Sequence, residues 1–587
     1  DWSSDVCSSD LAKIIECVPN FSEGRDKNVI DQIVKAIASA KVTVNGNEEG
    51  VKVLDVDPGE ATNRTVVTFV GSPEAVLEAA FQGVKCSGEV IDMRHHHGAH
   101  PRSGACDVLP LVPVAETTLE ECAELARGLA KRIYNELGIP CYCYEAAAFK
   151  PERKNLAVCR AGEYEALPEK IADPAKAPDF GPKEYNETVA KSGAINVGAR
   201  DFLVAVNYNL NTTSTRRAMA IAFDVREKGR KMREGGSLTG KVLKDENGKD
   251  RWQPGTLKGC KAIGWYIDEY GIAQVSMNIT DIKTTPLHVA YEEVSRAAAA
   301  RGLRVTGAEI VGLVPKRVLM EAGKFYLEKQ ERSLGISDEE IMKIAVKSMS
   351  LDDLKPFNPH EKVIEYLMED PEHMAIKERL IRMTLKGFAE ETASESPAPG
   401  GGSISAYMGA LGAALGTMVA NLSAHKRGWD DRWKEFSDWA EKGHAVMREL
   451  VSLVDEDTAA FDKIMAAFGL PKGTDEEKAA RSEAIEKATL YATQVPLRTM
   501  KASFRAFEIT RAMAETGNPN SVSDAGVGAL AARSAVLGAQ LNVKINAASL
   551  SDKAKAAELV AEADEIAAKA VVEEKEILDI VNSKING

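Results

Sequence analysis

The sequence predicts an α+β half built of two βαββαβ-like subdomains, followed by an all-α helical bundle. Three observations carry this. Up to about residue 367, short β-branched runs alternate with amphipathic stretches. That rhythm restarts near Asp201, and from Ile376 onward the chain becomes Ala-rich with apolar residues at helical spacing. At 587 residues the chain is also too long to fold around one core.

Taken in order, residues 1–11 (DWSSDVCSSDL) do not join the pattern that follows. They lack the basic and apolar regions of a signal peptide and read as a non-native leader. The first subdomain spans 12–195. Lys13–Val18, Val51–Val56 and Thr65–Val70 read as strands, and Asn28–Ala38 and Pro73–Lys85 as helices. This order is that of a βαββαβ layer. A boundary near Gly193–Arg200 opens the second subdomain, 196–367. It has strands at Asp201–Asn209, Cys260–Tyr266 and Ala273–Ile279 and a helix near Arg216–Glu227. Between Met232 and Gln253, Asn247-Gly248 marks a hairpin turn, so this stretch reads as an inserted surface ribbon. An acidic linker covers 368–375. Beyond it, 376–587 is divided at Pro397–Gly402, Gly469–Gly473 and Gly517–Asn520 into an antiparallel helical bundle.

Composition narrows the function classes. With 44% hydrophobic and 28% charged residues the chain is of ordinary globular make-up. No apolar run reads as long enough to span a bilayer. The net charge of −14 argues against a general nucleic-acid binder, so an anionic substrate must be met by a local basic pocket. All nine cysteines lie between Cys7 and Cys260, and Cys141-Tyr142-Cys143 is a C-x-C. Neither a zinc site nor a secreted disulfide framework has such spacing, so the thiols read as reduced and the protein as cytoplasmic.

Arg94-His95-His96-His97-Gly98-Ala99-His100-Pro101-Arg102-Ser103-Gly104 places four of nine histidines within six residues. Gly98, Pro101 and Gly104 exclude a regular helix, so this is a loop. Imidazole titrates near neutrality and guanidinium grips carboxylates, which suits proton transfer beside an acidic ligand. A loop pinned by histidine–backbone hydrogen bonds explains any single one of these histidines equally well. A metal site at His97 and His100 lacks a third ligand at suitable spacing.

In the helical half, Gly400-Gly401-Gly402-Ser403 precedes a helix whose N-terminus offers free N–H groups to an anion or a polar ring. No Gly-Lys-Ser/Thr follows, so it is not a Walker loop; taken alone it reads as a turn between domains. A helix over roughly Asp430–Phe468 has an apolar stripe through Met447, Leu450, Val454, Phe461, Ile464 and Phe468, and Asp457 sits within that stripe. A carboxylate there is costly unless partnered or functional, and desolvation raises its pKa into the range of a useful acid. A polar bridge between bundle helices is the plainer alternative.

These constellations carry a resemblance. KIIECVPNFSEGRD (13–26), LDVDPGEATNRTVVTFVG (54–71), IDMRHHHGAHPRSGACDVLPLVPV (91–114), RAGEYEALPEKI (160–171), APDFGP (177–182) and IGWYIDEYGIAQVSMNITD (263–281) resemble glutamate formiminotransferase. SPAPGGGSISA (396–406), SLVDEDTAAFDKIMAAFGLPKGT (452–474), VPLR (495–498) and GNPNSVSDAGVGALAARSAVLGAQLNVKIN (517–546) resemble formiminotetrahydrofolate cyclodeaminase. The order matches the bifunctional formimidoyltransferase-cyclodeaminase family of histidine degradation. The resemblance implies that His100 is the base of formimino transfer from N-formimino-L-glutamate to tetrahydrofolate. It implies that Asp457 is the acid of ring closure to 5,10-methenyltetrahydrofolate with loss of ammonia. Folate, as a polyglutamylated substrate, is expected around Gly181, Pro182 and Gly193 in the first half and around Gly400, Gly401, Gly402 and Ser403 in the second. Arg64 and Arg102 are expected at substrate carboxylates. No metal is implied, and a homo-oligomer built from dimers is. Rival readings are glutamate formyltransferase using 5-formyltetrahydrofolate and a non-catalytic oligomeric scaffold. Finally, the Ile404–Ser423 helix carries no Asp, Glu, Lys or Arg, so it is expected to be buried on all sides, by its own bundle or by a second copy.

Overall fold

The computed structural model describes residues 13–44, 47–60, 62–98, 101–236, 240–368 and 378–586. The leader 1–11 and all of the linker 368–375 except Met368 lie outside the described residues. The chain forms two compact units. One runs up to Leu319 and takes in Met349–Met368; the other joins Met320–Ser348 to the chain from 378 onward.

The first unit holds two sheets. In the larger, Arg64–Gly71 pairs with Lys52–Gly59 on one side, and on the other with Ile14–Cys17 and Asn20–Phe21, which lie end to end. Those two pair in turn with Cys106–Ala115. Ile195–Ala199 and then the edge strand Cys141–Glu145 add on in parallel. Alternation along the strands sends Ile15, Cys17, Phe69, Leu109, Leu111 and Val197 to one face. There they pack under helices Lys27–Ala38, Pro73–Val90 and Leu119–Leu137 through Ile33, Val76, Ala126 and Ile133. The intervening Glu16 and Asn196 are buried polar residues of the opposite face. Burial pushes the Glu16 carboxyl up to about 7.

The second sheet is antiparallel, in the spatial order Cys260–Ile267, Ile272–Ile279, Val204–Leu210, Val305–Val311. Helices Thr215–Val225 and Leu287–Ala299 intervene along the chain, so the elements run strand, helix, strand, strand, helix, strand. The inserted ribbon begins with Arg230–Lys231 paired to Trp252–Gln253 and narrows to a turn in which Asp245 accepts from the Asn247 and Lys249 N–H groups.

In the second unit, helices Gly401–Ala424, Trp433–Phe468, Asp475–Thr516, Val522–Ala548 and Lys553–Asn586 surround a core rich in alanine. Small residues set the spacing. A Cβ at Gly412 would lie 2.8 Å from the Gly528 carbonyl oxygen, so these two helices touch backbone to backbone. Thr474 opens the third helix with a reciprocal capping box to Glu477. The expected breaks at Gly469–Gly473 and Gly517–Asn520 are present; a further one, at 549–552, has no glycine or proline to signal it. There Glu486 of the neighbouring helix accepts from the Ser551 N–H at 2.9 Å, capping the turn from a distance in sequence.

Three findings refine the expectations. First, residues 320–348, expected in the second subdomain, pack compactly with the helices beyond residue 378. The Leu334 N–H donates to Ser437 Oγ at 3.0 Å, Asn421 donates to the Gly335 carbonyl at 2.8 Å, and Arg448 pairs with Asp338 at 3.0 Å. Second, the Gly401–Ala424 helix does have the length and mean hydropathy to cross a membrane, although its Ser, Thr and Asn residues interrupt the apolar run. Most of that helix is buried in the unit, as a core helix is. Third, of the two ways expected to cover that helix, its own bundle does so only in part: Leu411, Met418 and Leu422 form an exposed stripe.

Gly335→Ala is expected to weaken the helical unit by about 1–3 kcal/mol, because a Cβ there would overlap Ala440. Scanning calorimetry should show a lower transition for that unit with the melting of the first unit unchanged. An unaltered profile would mean that 320–348 contributes nothing to that unit's stability.

Candidate active sites

The histidine loop follows a short 3-10 turn, Met93–His95, and leads into Cys106–Ala115. His96 is buried. Its Nε2 lies 2.9 Å from the Asn63 carbonyl oxygen, and its Nδ1 accepts a long contact, 3.4 Å, from Arg102 Nε. Burial lowers its pKa, so it is held neutral. Asn63 pins the loop at a second point, donating to the His97 carbonyl at 3.0 Å while accepting from the Gly24 N–H. His96 is therefore a structural histidine. His95 and His97 are exposed. His100 lies outside the described residues.

Glycine permits the crossing that anchors the other end of the loop. Gly104 lies against Gly193, where a Cβ would stand 2.6 Å from the Ser192 and Ala194 carbonyl oxygens, and Gly193 has φ of +70°. The Ala105 N–H donates to Ser192 O at 2.8 Å, and the Ala194 N–H to Ser103 O at 2.9 Å. The region expected to hold folate is thus stitched to the histidine loop. Gly181 and Pro182 are half-buried beside Phe180, whose carbonyl accepts from the Cys141 N–H. Nearby, Asp179 accepts from the Cys143 N–H and pairs with buried Arg153 at 2.6 Å.

The two expected arginines differ. Arg102 is gripped by Glu165 (2.6 Å) and Glu163 (3.1 Å), so its charge is already answered within the protein, and these carboxylates raise its pKa. Its backbone carbonyl also accepts from the Tyr164 N–H. Arg64 is largely buried, donates to Asn20 Oδ1, and has its pKa lowered to about 10 by burial. It shares the field of fully buried Asp107 with Arg160, which pairs with that carboxylate. Two guanidiniums thus face one carboxylate, a local positive site in an acidic chain. The sequence reading missed Asn63, Asp107, Arg160, Glu163 and Glu165 as loop supports. The last three fall in the RAGEYEALPEKI block.

In the helical unit the Gly400–Ser403 turn and Asp457 meet. A Cβ at Gly402 would overlap the Asp457 carboxylate, so only glycine lets the start of the Gly401–Ala424 helix come so close. Fully buried Ser403 donates to the Val454 carbonyl at 2.8 Å and stands 3.2 Å from Asp457 Oδ2. Burial raises the Asp457 pKa, against the lowering effect of the Ser403 hydroxyl and backbone N–H. On the far side of the turn a Cβ at Gly401 would stand 3.3 Å from the Asn542 amide. The neighbouring acids are occupied elsewhere. Asp455 accepts from the Leu380 and Ile381 N–H groups, and Glu456 from Tyr491 and Arg498. Asp457 alone of the three is a desolvated acid at a helix start. The apolar stripe around it is buried at Leu450 and Val454 but exposed at Phe461 and Phe468, contrary to a continuous core face. Among the described residues no group of three or more His, Cys, Asp or Glu is arranged to hold a metal ion.

Residues 14–200 match the family described as "Formiminotransferase domain, N-terminal subdomain", 205–369 match "Formiminotransferase domain", and 384–565 match "Formiminotransferase-cyclodeaminase". The chain is 41% identical over 543 residues to a formimidoyltransferase-cyclodeaminase of Gallus gallus, covering 92% of this chain and 94% of that protein. It is 41% identical over 317 residues to a glutamate formimidoyltransferase of Thermoplasma acidophilum, 54% of this chain and 92% of that one. It is 40% identical over 203 residues to a methenyltetrahydrofolate cyclohydrolase of Methylorubrum extorquens, 35% of this chain and 98% of that one.

The Asp457 environment makes a signed prediction. The Ser403 hydrogen bond favours the charged carboxylate, so Ser403→Ala should move an already raised Asp457 pKa higher still. A carbon-13 titration of selectively labelled aspartate reads this directly. A midpoint at or below the ordinary value of 3.8, or a fall in the variant, contradicts it.

Proposed function

The chain belongs to the formiminotransferase-cyclodeaminase family, and we propose that it runs that family's two reactions at separate places: the histidine loop of the first unit and the glycine–carboxylate junction of the second. It is a bifunctional folate enzyme. It moves the formimino group of N-formimino-L-glutamate to tetrahydrofolate, then closes 5-formiminotetrahydrofolate to 5,10-methenyltetrahydrofolate and releases ammonia.

In the transfer, N5 of the pterin attacks the formimino carbon, the bond from that carbon to the glutamate nitrogen breaks with a proton going to that nitrogen so that glutamate leaves as the amine, and N5 gives up a proton. We assign that proton to His100. His96 is committed to Asn63, which supports a base elsewhere in the loop. Such general-base help contributes about 10²–10⁴-fold. The pairing of Arg102 with Glu163 and Glu165 supports a positioning part for it, while Arg64 beside Arg160 supplies the charge for substrate carboxylates. Gly181, Pro182 and Gly193 shape the folate segment.

In the closure, N10 attacks the formimino carbon, the carbon–nitrogen bond to the terminal nitrogen breaks, and that nitrogen leaves as ammonia after taking a proton. The observation that carries the reading is the meeting of Asp457, its pKa raised by burial, with the Gly400, Gly401, Gly402 and Ser403 turn, which supports it as the donor of that proton. The substrate is taken as polyglutamylated tetrahydrofolate, and no step requires a metal. The cysteines among the described residues are all free, which supports a cytoplasmic setting. The exposed stripe Leu411, Met418 and Leu422, beside Val527 and Leu530 of the next helix, supports assembly through a second copy.

His100→Ala should lose at least about a hundredfold in formimino transfer while closing supplied 5-formiminotetrahydrofolate normally. Asp457→Asn should do the reverse and let that intermediate accumulate. Either variant losing both activities, with folding intact by circular dichroism, would refute separate sites. Leu411→Glu should shift light scattering toward smaller species; an unchanged mass would remove that face from the assembly.

A further inference from the structure

The apolar stripe of the Trp433–Phe468 helix outruns the core. Leu450 and Val454 are buried, but past Asp457 the same side carries Phe461 (44% exposed), Ile464 and Phe468 (51%), with Met465 (55%) adjacent. On an α-helix, positions 457, 461, 464 and 468 fall within about 60° of arc, so these rings share the side that presents the Asp457 carboxyl. Phe468 is partly covered, since Arg481 lies over its ring at 5.6 Å and donates to its carbonyl oxygen. Phe461 and Met465 are the open part of the stripe. Across the Gly400–Gly402 turn, the Val522–Ala548 helix brings Asn542 to Gly401 and exposes Leu541 and Ile545, each 68%, one turn apart on one side of it. The acid is thus flanked by apolar side chains that the fold itself does not bury.

Ring closure asks for such a wall. N10 must reach the formimino carbon on N5, so the pterin and the aminobenzoyl ring have to be held folded toward each other while the leaving nitrogen faces the acid. Flat uncharged rings are held by apolar and aromatic surface rather than by charge. A side chain one helical turn from the acid has its Cβ about 6 Å away, close enough for one ligand to touch both. We infer that Phe461, with Met465 beside it, is the surface on which the folate rings lie during closure, an inference that rests on Asp457 being the acid. Phe461 acts by binding: it moves no proton, and its loss should appear in KM rather than in kcat.

The test uses the full chain. Phe461→Ala is expected to raise KM for 5-formiminotetrahydrofolate about tenfold, as befits a large apolar side chain lost from contact. The kcat should stay within about twofold, Phe461→Trp should keep the wild-type KM, and formimino transfer should be unchanged. An unaltered KM in Phe461→Ala overturns the inference. So does a change in oligomeric mass by light scattering with KM unaltered, which would assign the stripe to a subunit contact. Asp457→Asn run in parallel separates the two failures. If it retains closure while Phe461→Ala still raises KM, the acid is wrongly assigned and the wall stands.

Discussion

Two chain segments can meet backbone to backbone only where no Cβ intervenes, and both reacting loops are built on that constraint. In the first unit Gly104 and Gly193 cross so closely that the histidine loop and the 187–193 helix end share hydrogen bonds. In the second, the missing Cβ of Gly402 admits the Asp457 carboxylate to the start of a helix. That placement sets two effects against each other. A helix N-terminus favours the charged carboxylate by about 0.3–1 kcal/mol, whereas burial can shift a carboxyl upward by as much as 3–5 pKa units. Burial outweighs the helix start, and the carboxyl is held above its ordinary pKa rather than below it.

The charge pattern follows the same economy of local over global effects. The chain carries a net charge of −14, yet its substrates are acids. In the first unit Arg64 and Arg160 surround the buried carboxylate of Asp107, while Arg102, equally basic, is paired with Glu163 and Glu165. Guanidinium groups that look alike in the sequence thus have different surroundings, and only their partners tell them apart.

Much of this was legible in the sequence because it is local. Strand and helix periodicity gave the two sheets and the bundle, the density of histidine marked a loop, and Asp457 stood out as a carboxylate in an apolar stripe. What was illegible depends on residues far apart in the chain. Nothing near Leu334 announces that its N–H will be taken by Ser437. The turn at 549–552 has no glycine or proline and is capped by Glu486 from another helix. Periodicity also cannot say where a stripe leaves the core, and so Phe461 and Phe468 read as buried when they are not. The roles of Arg64 and Arg102 were indistinguishable until Glu163 and Glu165 were placed.

Two chemically distinct places on one chain should each hold a pterin. A crystal structure of the full chain soaked with 5-formyltetrahydrofolate, a stable stand-in for the shared intermediate, would test this most directly. Two bound molecules per chain are expected, one against the loop that ends at the Gly104–Gly193 crossing and one beside the junction of the Gly400–Gly402 turn with Asp457. A single pterin, or a second one remote from Asp457, would contradict the assignment of ring closure to the helical unit's glycine–carboxylate junction.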